Sequence, residues 1–361
     1  MALDNEHIKY KFILLDDKFK VDKREEKCMP FTMNLRGQVN QMRLPKTKAL
    51  WPLFETIVNA IQSLEETKNC EKPLITIKAN RIEFSQFNTN GEEEINHFEE
   101  FIVIDNGEGF TEKNYRSFLE GYSTLKIAKG CKGIGRFLWL KAFDKVNIKS
   151  IYTENSIWYE RKFNFSLKHA IEPEDNCKEI KDVSKQICVT EVYLSGFHAE
   201  YRENVALSLE SLAKKIIEHC LPYFIIDGCP EIVLQDNLGE RFNLNLYYKE
   251  LYKDTLHRDE IVLKGNRFSL YHMIVNEGAD KHELHLCANN REVKSYDLSR
   301  FIPNLDKKIV TETQSYYYVG YIAGEYLDKS VNADRYEFDF SDAPLLNSID
   351  EKELTEAAVS Y

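Results

Sequence analysis

The chain has 361 residues, 43% of them hydrophobic and 30% charged, and a formal net charge of −11. These totals describe a soluble globular protein of about two domains and exclude a large non-specific nucleic-acid surface as the default, while leaving a local basic groove open. No apolar run reaches the length of a membrane span, and the start MALDNEHIKYKF lacks the apolar core of a secretory leader, so a cytoplasmic protein without membrane contact is expected. The eight cysteines include no C-x-x-C pair, and reduced thiols filling core space are expected rather than a zinc site or a disulfide framework.

In chain order, residues 1–45 read as an extended N-terminal arm, with KFILL (11–15) as a short strand. TKALWPLFETIVNAIQSLEETKN then carries a helical period: Leu50, Phe54, Ile57, Val58, Ile61 and Leu64 share one face, and Pro52 suits a first turn. Glu55 and Asn59, four apart, share a different face that Gln62 and Glu66 extend; alone, this stripe also fits a solvated helix surface. LITIKANRIEF (74–84) predicts a strand, NTNGEEEINHFEE a polar connection, and FIVID (101–105) a short apolar strand ending on an acid. In DNGEGF (105–110), Gly107 and Gly109 follow the carboxylate of Asp105 with backbone free to take positive φ, a pattern that also fits an Asx turn.

TEKNYRSFLEGYSTLKIAK (111–129) predicts a helix and then a mobile segment. GCKGIGRF (130–137) sets Gly130, Gly133 and Gly135 beside Lys132 and Arg136. Such bare backbone next to positive charge cradles an anion, or else makes a glycine-rich turn before the buried helix FLWLKAF. Neither of the two best-known phosphate loops, G-x-x-x-x-G-K-[ST] and a G-x-G-x-x-G after a strand, is present. Strands follow at KVNIKSIYT, SIWYERKFNFSL and ICVTEVYL, the last carrying Thr190, and one amphipathic helix covers 204–224. A DGCP turn marks a boundary near 226. Beyond it come strand-like runs at EIVLQD, FSLYHMIV, HELHLCANN and SYYYVGYIAG. The tail SIDEKELTEAAVSY reads as a helix still running where the chain ends, as in the front part of a longer protein.

The order of four of these stretches resembles the GHKL ATPases, the superfamily of gyrase, the ninety-kilodalton heat-shock chaperone, histidine kinases and MutL. They are E-x-x-x-N on a helix (Glu55, Asn59), D-x-G-x-G at a strand end (Asp105, Gly107, Gly109), G-x-x-G-x-G (Gly130, Gly133, Gly135) and a Thr-bearing strand (Thr190). The resemblance covers about residues 45–225, closest on the chaperone, MORC and MutL side. It implies an α+β protein in which a Bergerat-type ATP-binding α/β sandwich (46–226) is followed by an α/β transducer-like domain (227–345) and the start of a C-terminal helix (346–361). It also implies ATP and Mg2+ as ligands. Asn59 would hold the metal, Glu55 would act on the attacking water, and Asp105, with Thr190, would bind the adenine. Gly107 and Gly109 would pass close to base and sugar, and Gly130, Gly133, Gly135, Lys126 and Lys132 would serve the phosphates beneath a lid at 111–135. In the second half, CANNREVKSY resembles the transducer's N-x-R-x-V region and KSVNADRYEF the chaperone's V/L-N-x-x-R loop. That match makes Arg335 the γ-phosphate sensor, with Lys329 as runner-up.

Two positions depart from the family pattern: Gln62 stands where many members have Asp, and Val189 where a Gly precedes the adenine-site Thr. The expected function is Mg-dependent ATP hydrolysis that drives lid closure and the opening and closing of a homodimer. The client would be a protein or a nucleic acid, with bacterial defence one setting suggested by analogy of fold. A histidine kinase and an ATP-gated module that does not hydrolyse are the rivals.

Overall fold

The computed structural model describes residues 34–67, 72–81, 96–121, 123, 135–171, 176–181, 187–225, 229–253, 255–275, 281–312, 315–332, 337–340 and 349–361. KFILL, Lys126, Gly130, Lys132, Gly133 and Arg335 lie outside them.

The first described element is helix α1 (Leu35–Gln41), inside the stretch expected to be an extended arm. Asn34 starts it by accepting the Gly37 N–H at 2.9 Å, and Val39 anchors it in the core. Helix α2 (Trp51–Glu66) begins with Pro52 in its first turn, where the missing N–H costs nothing. Leu53, Ile57, Val58 and Ile61 are almost completely buried. The expected polar stripe of α2 is only partly a solvent face: Asn59 is exposed and Glu66 half-buried. Glu55 and Gln62 are buried, Gln62 toward Tyr223, because α2 is wrapped on more than one side.

Strands β1 (Leu74–Arg81) and β2 (Phe98–Asp105) pair antiparallel, Ile75 opposite Asp105. Helix α3 (Glu112–Leu119) is capped by Thr111, and α4 (Gly135–Ala142) runs directly into β3 (Phe143–Glu154). The hairpin from β3 to β4 (Ile157–Ser166) turns on Asn155 and Ser156, both at positive φ. Short strands β5 (Ala170–Ile171) and β6 (Asn176–Glu179) pair with β4, and β7 (Val189–Phe197) lies between β3 and β2.

Three helices follow: α5 (Ala199–Arg202), α6 (Leu209–His219) and α7 (Leu221–Ile225). A single helix over 204–224 is not formed. Ser208 caps α6, accepting the Ser211 N–H, and Pro222, which cannot donate to the preceding turn, sits at the start of the separate α7.

Strands β8 (Glu231–Asp236) and β9 (Arg241–Asn243) complete the first sheet, whose nine strands run β5-β4-β3-β7-β2-β1-β8-β9 with β6 beside β4. β8 runs parallel to β1, Leu74 opposite Glu231, so this sheet extends well past residue 226. Helix α8 (Leu244–Tyr248) leads to the second sheet: β10 (His257–Leu263), β11 (Asn266–Val275), β12 (Glu283–Ala288), β13 (Arg291–Asp297), β14 (Ile309–Val310) and β15 (Ser315–Ala323). Their order is β10-β11-β15-β12-β13, with β14 beside β15 and β12 parallel to β15. Helices α9 (Glu325–Ser330) and α10 (Glu351–Ser360) cover this sheet. The protein is therefore a mixed α+β protein built on two mixed sheets. Among the described residues, no helix is long and apolar enough to cross a membrane.

The two sheets share one core. Met273, Val275, Cys287, Val319 and Tyr321 of the second sheet belong to the same apolar cluster as α2, α4 and α6. His219, at the end of α6, is stacked on Phe54 and edge-on to Trp51 in this junction. Burial pushes its pKa down to about 4, so the native imidazole is neutral where an unfolded one takes up a proton. That stabilisation is complete above pH 6.5 and is lost as pH falls through 4, amounting to about 3 kcal/mol over the window. His219→Leu is expected to flatten the pH dependence of the urea midpoint between pH 6.5 and 4.5. A variant as acid-sensitive as the wild type would show that other groups set the slope.

Candidate functional site

The site is built along α2. Ser63 lies eight positions after Glu55, two i,i+4 steps through Asn59, so the three share one stripe about 12 Å long. Asn59 is exposed in an otherwise buried stretch of helix.

At the far end of the stripe, β2 delivers Asp105, only 6% exposed, between Ile75 of β1 and Thr190 of β7. Its Oδ1 accepts the Gly107 N–H at 2.9 Å. The Glu108 N–H donates to Ser63 Oγ at 3.0 Å, so this loop lies directly on α2, and a Cβ on Gly107 would overlap the Ser63 side chain and crowd its backbone carbon. Gly109 has φ +78°, and a Cβ there would stand 2.8 Å from Ser150 Oγ and 2.9 Å from Tyr152 Cβ. Glycine at these two positions thus answers a close approach and a left-handed backbone. Ser150, fully buried on β3, bonds Thr190 Oγ1 at 2.9 Å and accepts the Phe110 N–H at 3.0 Å.

The loop is also held from outside. Asn114 donates to Gly109 O and Glu108 Oε2. Arg161 donates to Phe110 O, Thr111 O and Glu112, and lies over the Tyr115 ring. The Arg116 guanidinium, joined by that of Arg161, holds the Glu112 carboxyl below the usual range.

At the near end, Glu55 is 8% exposed. Its Oε1 accepts a hydrogen bond from Arg291 Nη1 at 2.6 Å, and the side chains are 10% and 3% exposed. Its Oε2 faces Gly135, where an ideal Cβ would lie 2.5 Å away. Arg136 turns from the glycine stretch to donate to Glu120 O and rests on Phe118 and Phe137, so it serves as a structural tie.

Of the residues singled out from sequence, the structure brings Asp105, Gly107, Gly109 and Thr190 together at one end of the α2 stripe, and Glu55 and Gly135 at the other, with Asn59 between. Lys329 sits at the surface and pairs with Glu325. Three residues of the site were assigned no individual role in the sequence analysis, although one of them, Arg291, lies in the N-x-R-x-V motif. Ser63 was findable, because i,i+4 spacing leads from Asn59 to it rather than to Gln62. Ser150 carried no local signal; for Arg291, the arginine of that resemblance in CANNREVKSY, nothing local pointed to Glu55 as its partner. Among the described residues no cluster of three or more His, Cys, Asp or Glu could hold a metal ion. Magnesium bound through one amide oxygen, phosphates and water needs no such cluster, and the exposed Asn59 suits that mode.

Comparison with models of known protein families finds no match, and neither does comparison with curated protein sequences.

Proposed function

We propose that this protein binds ATP with magnesium and hydrolyses it, as a GHKL-type ATPase with a Bergerat-like head on the nine-stranded sheet and a transducer-like unit on the six-stranded one. One observation carries the reading. A buried carboxylate followed by two sterically required glycines stands at one end of the α2 stripe, and a second buried carboxylate facing a glycine-begun helix stands at the other. The α2 stripe that links the two ends rises about 12 Å from Glu55 to Ser63, a length that suits a nucleotide lying from its base to its terminal phosphate.

In this reading Asp105 accepts the adenine amino group, and the Thr190 hydroxyl, already tied to Ser150, supports the same edge. Asn59 holds the magnesium, which supplies charge neutralisation at the phosphates. Glu55 orients the attacking water and takes its proton as the γ-phosphorus–oxygen bond to ADP breaks. Homodimerisation and an unidentified protein or nucleic-acid client remain part of the proposal.

A second reading is favoured by the Arg291–Glu55 pair: an ATP-gated module in which Glu55 is a structural ion-pair partner and no hydrolysis occurs. Phosphate release separates the two.

The test is calorimetry with ATP and Mg2+ on wild type and Asp105→Asn. The amide keeps an oxygen for the Gly107 N–H but loses the charge that receives the base. Wild type is expected to bind, and the variant to bind at least about tenfold more weakly, the equivalent of one lost charge-assisted hydrogen bond. No heat of binding and no change in melting temperature for the wild type would sink the reading.

A further inference from the structure

We infer that Arg291 is the positioning residue for Glu55, and that through it the second sheet sets the orientation of the proposed base. The inference rests on the ATPase reading and concerns how that site is completed.

Arg291 is the first residue of β13, directly after the turn Asn289–Asn290, where both residues have positive φ. That turn is anchored to α9, because Asp328 Oδ1 accepts the Asn289 N–H. The guanidinium is therefore delivered by a rigid hairpin, and it reaches α2 from a point 236 residues away in sequence. Arg291 is 2% exposed as a residue.

A glutamate on a helix has three rotatable bonds, and a base that rotates freely spends little time aimed at a water. Here the charge-assisted bond to Oε1 fixes the carboxylate plane. With Oε1 engaged, Oε2 is the oxygen presented to Gly135 at the start of α4. A bulkier residue at 135 would push that oxygen aside. Base, orienting group and a defined reacting face are the three parts such a site requires. The orienting group belongs to the second sheet, so displacement of that sheet from α2 would leave Glu55 unaimed while leaving Asp105 and its glycines untouched. Base binding and water activation then answer to different units of the protein.

The experiment uses the full chain and measures steady-state phosphate release with ATP and Mg2+ for wild type, Arg291→Met, Arg291→Lys, Glu55→Gln and the double variant Glu55→Gln/Arg291→Met. Arg291→Met should lower kcat by about ten- to a hundredfold, the cost of a misaimed catalytic group, with KM for ATP little changed. Arg291→Lys, which retains the charge and one donor, should recover part of the rate. The double variant should be no slower than Glu55→Gln alone, because Arg291 acts only through that carboxylate. Should Arg291→Met fail to fold, the lysine variant and the charge-neutral double variant carry the same comparison.

Wild-type kcat in Arg291→Met or, should that variant not fold, in Arg291→Lys would overturn the inference. So would a further loss in the double variant relative to Glu55→Gln, or a raised KM with unchanged kcat. In those cases the wild type still hydrolyses ATP and the ATPase reading stands. A wild type that neither binds ATP nor releases phosphate removes both, and one that binds without hydrolysis removes this inference and leaves the gated module.

Discussion

Glu55→Gln is expected to cut phosphate release by about 10²- to 10⁴-fold, the range over which a positioned general base acts, while ATP stays bound with little change in affinity. The variant is close to isosteric. Its amide oxygen can still accept the Arg291 hydrogen bond now made to Oε1, so the contact with the second sheet is weakened rather than deleted. What disappears is the ability to take a proton. Equal rates in variant and wild type, measured with a coupled phosphate assay, would mean that Glu55 is not the base and would favour the gated module.

Arg81→Ala should destabilise the protein by about 3–5 kcal/mol, the cost of leaving a buried charge without its partner. Arg81 closes β1, and its Nε donates to Asp236 Oδ2 at 3.2 Å, with side-chain exposures of 3% and 0%. Nη1 donates to Asn96 O, the guanidinium lies 4.1 Å over the Phe98 ring, and the backbone N–H donates to Asn237 Oδ1. Asp236 in turn accepts the Leu238 and Glu240 N–H groups, shaping the turn from β8 to β9. One side chain thus ties together β1, β2 and β8, neighbouring strands of the first sheet. Urea denaturation measures the loss, and adding Asp236→Asn should restore part of it by removing the stranded charge. A loss below about 1 kcal/mol would place the pair among ion pairs of surface worth.

The Arg81–Asp236 pair also shows where a local reading of the chain stops. EIVLQD is recognisable as a strand from its apolar content, and the DGCP turn before it looks like a division. Yet β8 adds in parallel to β1, across more than 150 residues, and the first sheet closes only at Asn243. A parallel neighbour leaves no hairpin turn in the sequence to announce it. Helix α2 gave a similar lesson. Its period and Pro52 were legible, and so was the E-x-x-x-N spacing. That Gln62 turns inward to Tyr223 while Ser63 meets the Asp105 loop depends on what packs around the helix.

By itself the sequence determined the helix and strand periods, the acid that ends an apolar strand, and the glycines at 107, 109 and 135. These are properties of residues and their near neighbours, set by side-chain spacing and by the missing Cβ. Only the tertiary structure decided that Ser150 supports Thr190, that β8 belongs with β1, and that Arg291 of the second sheet meets Glu55 of the first helix. Such contacts come from burial, which brings together groups far apart in the chain, and no local period encodes which distant charge a buried carboxylate will find.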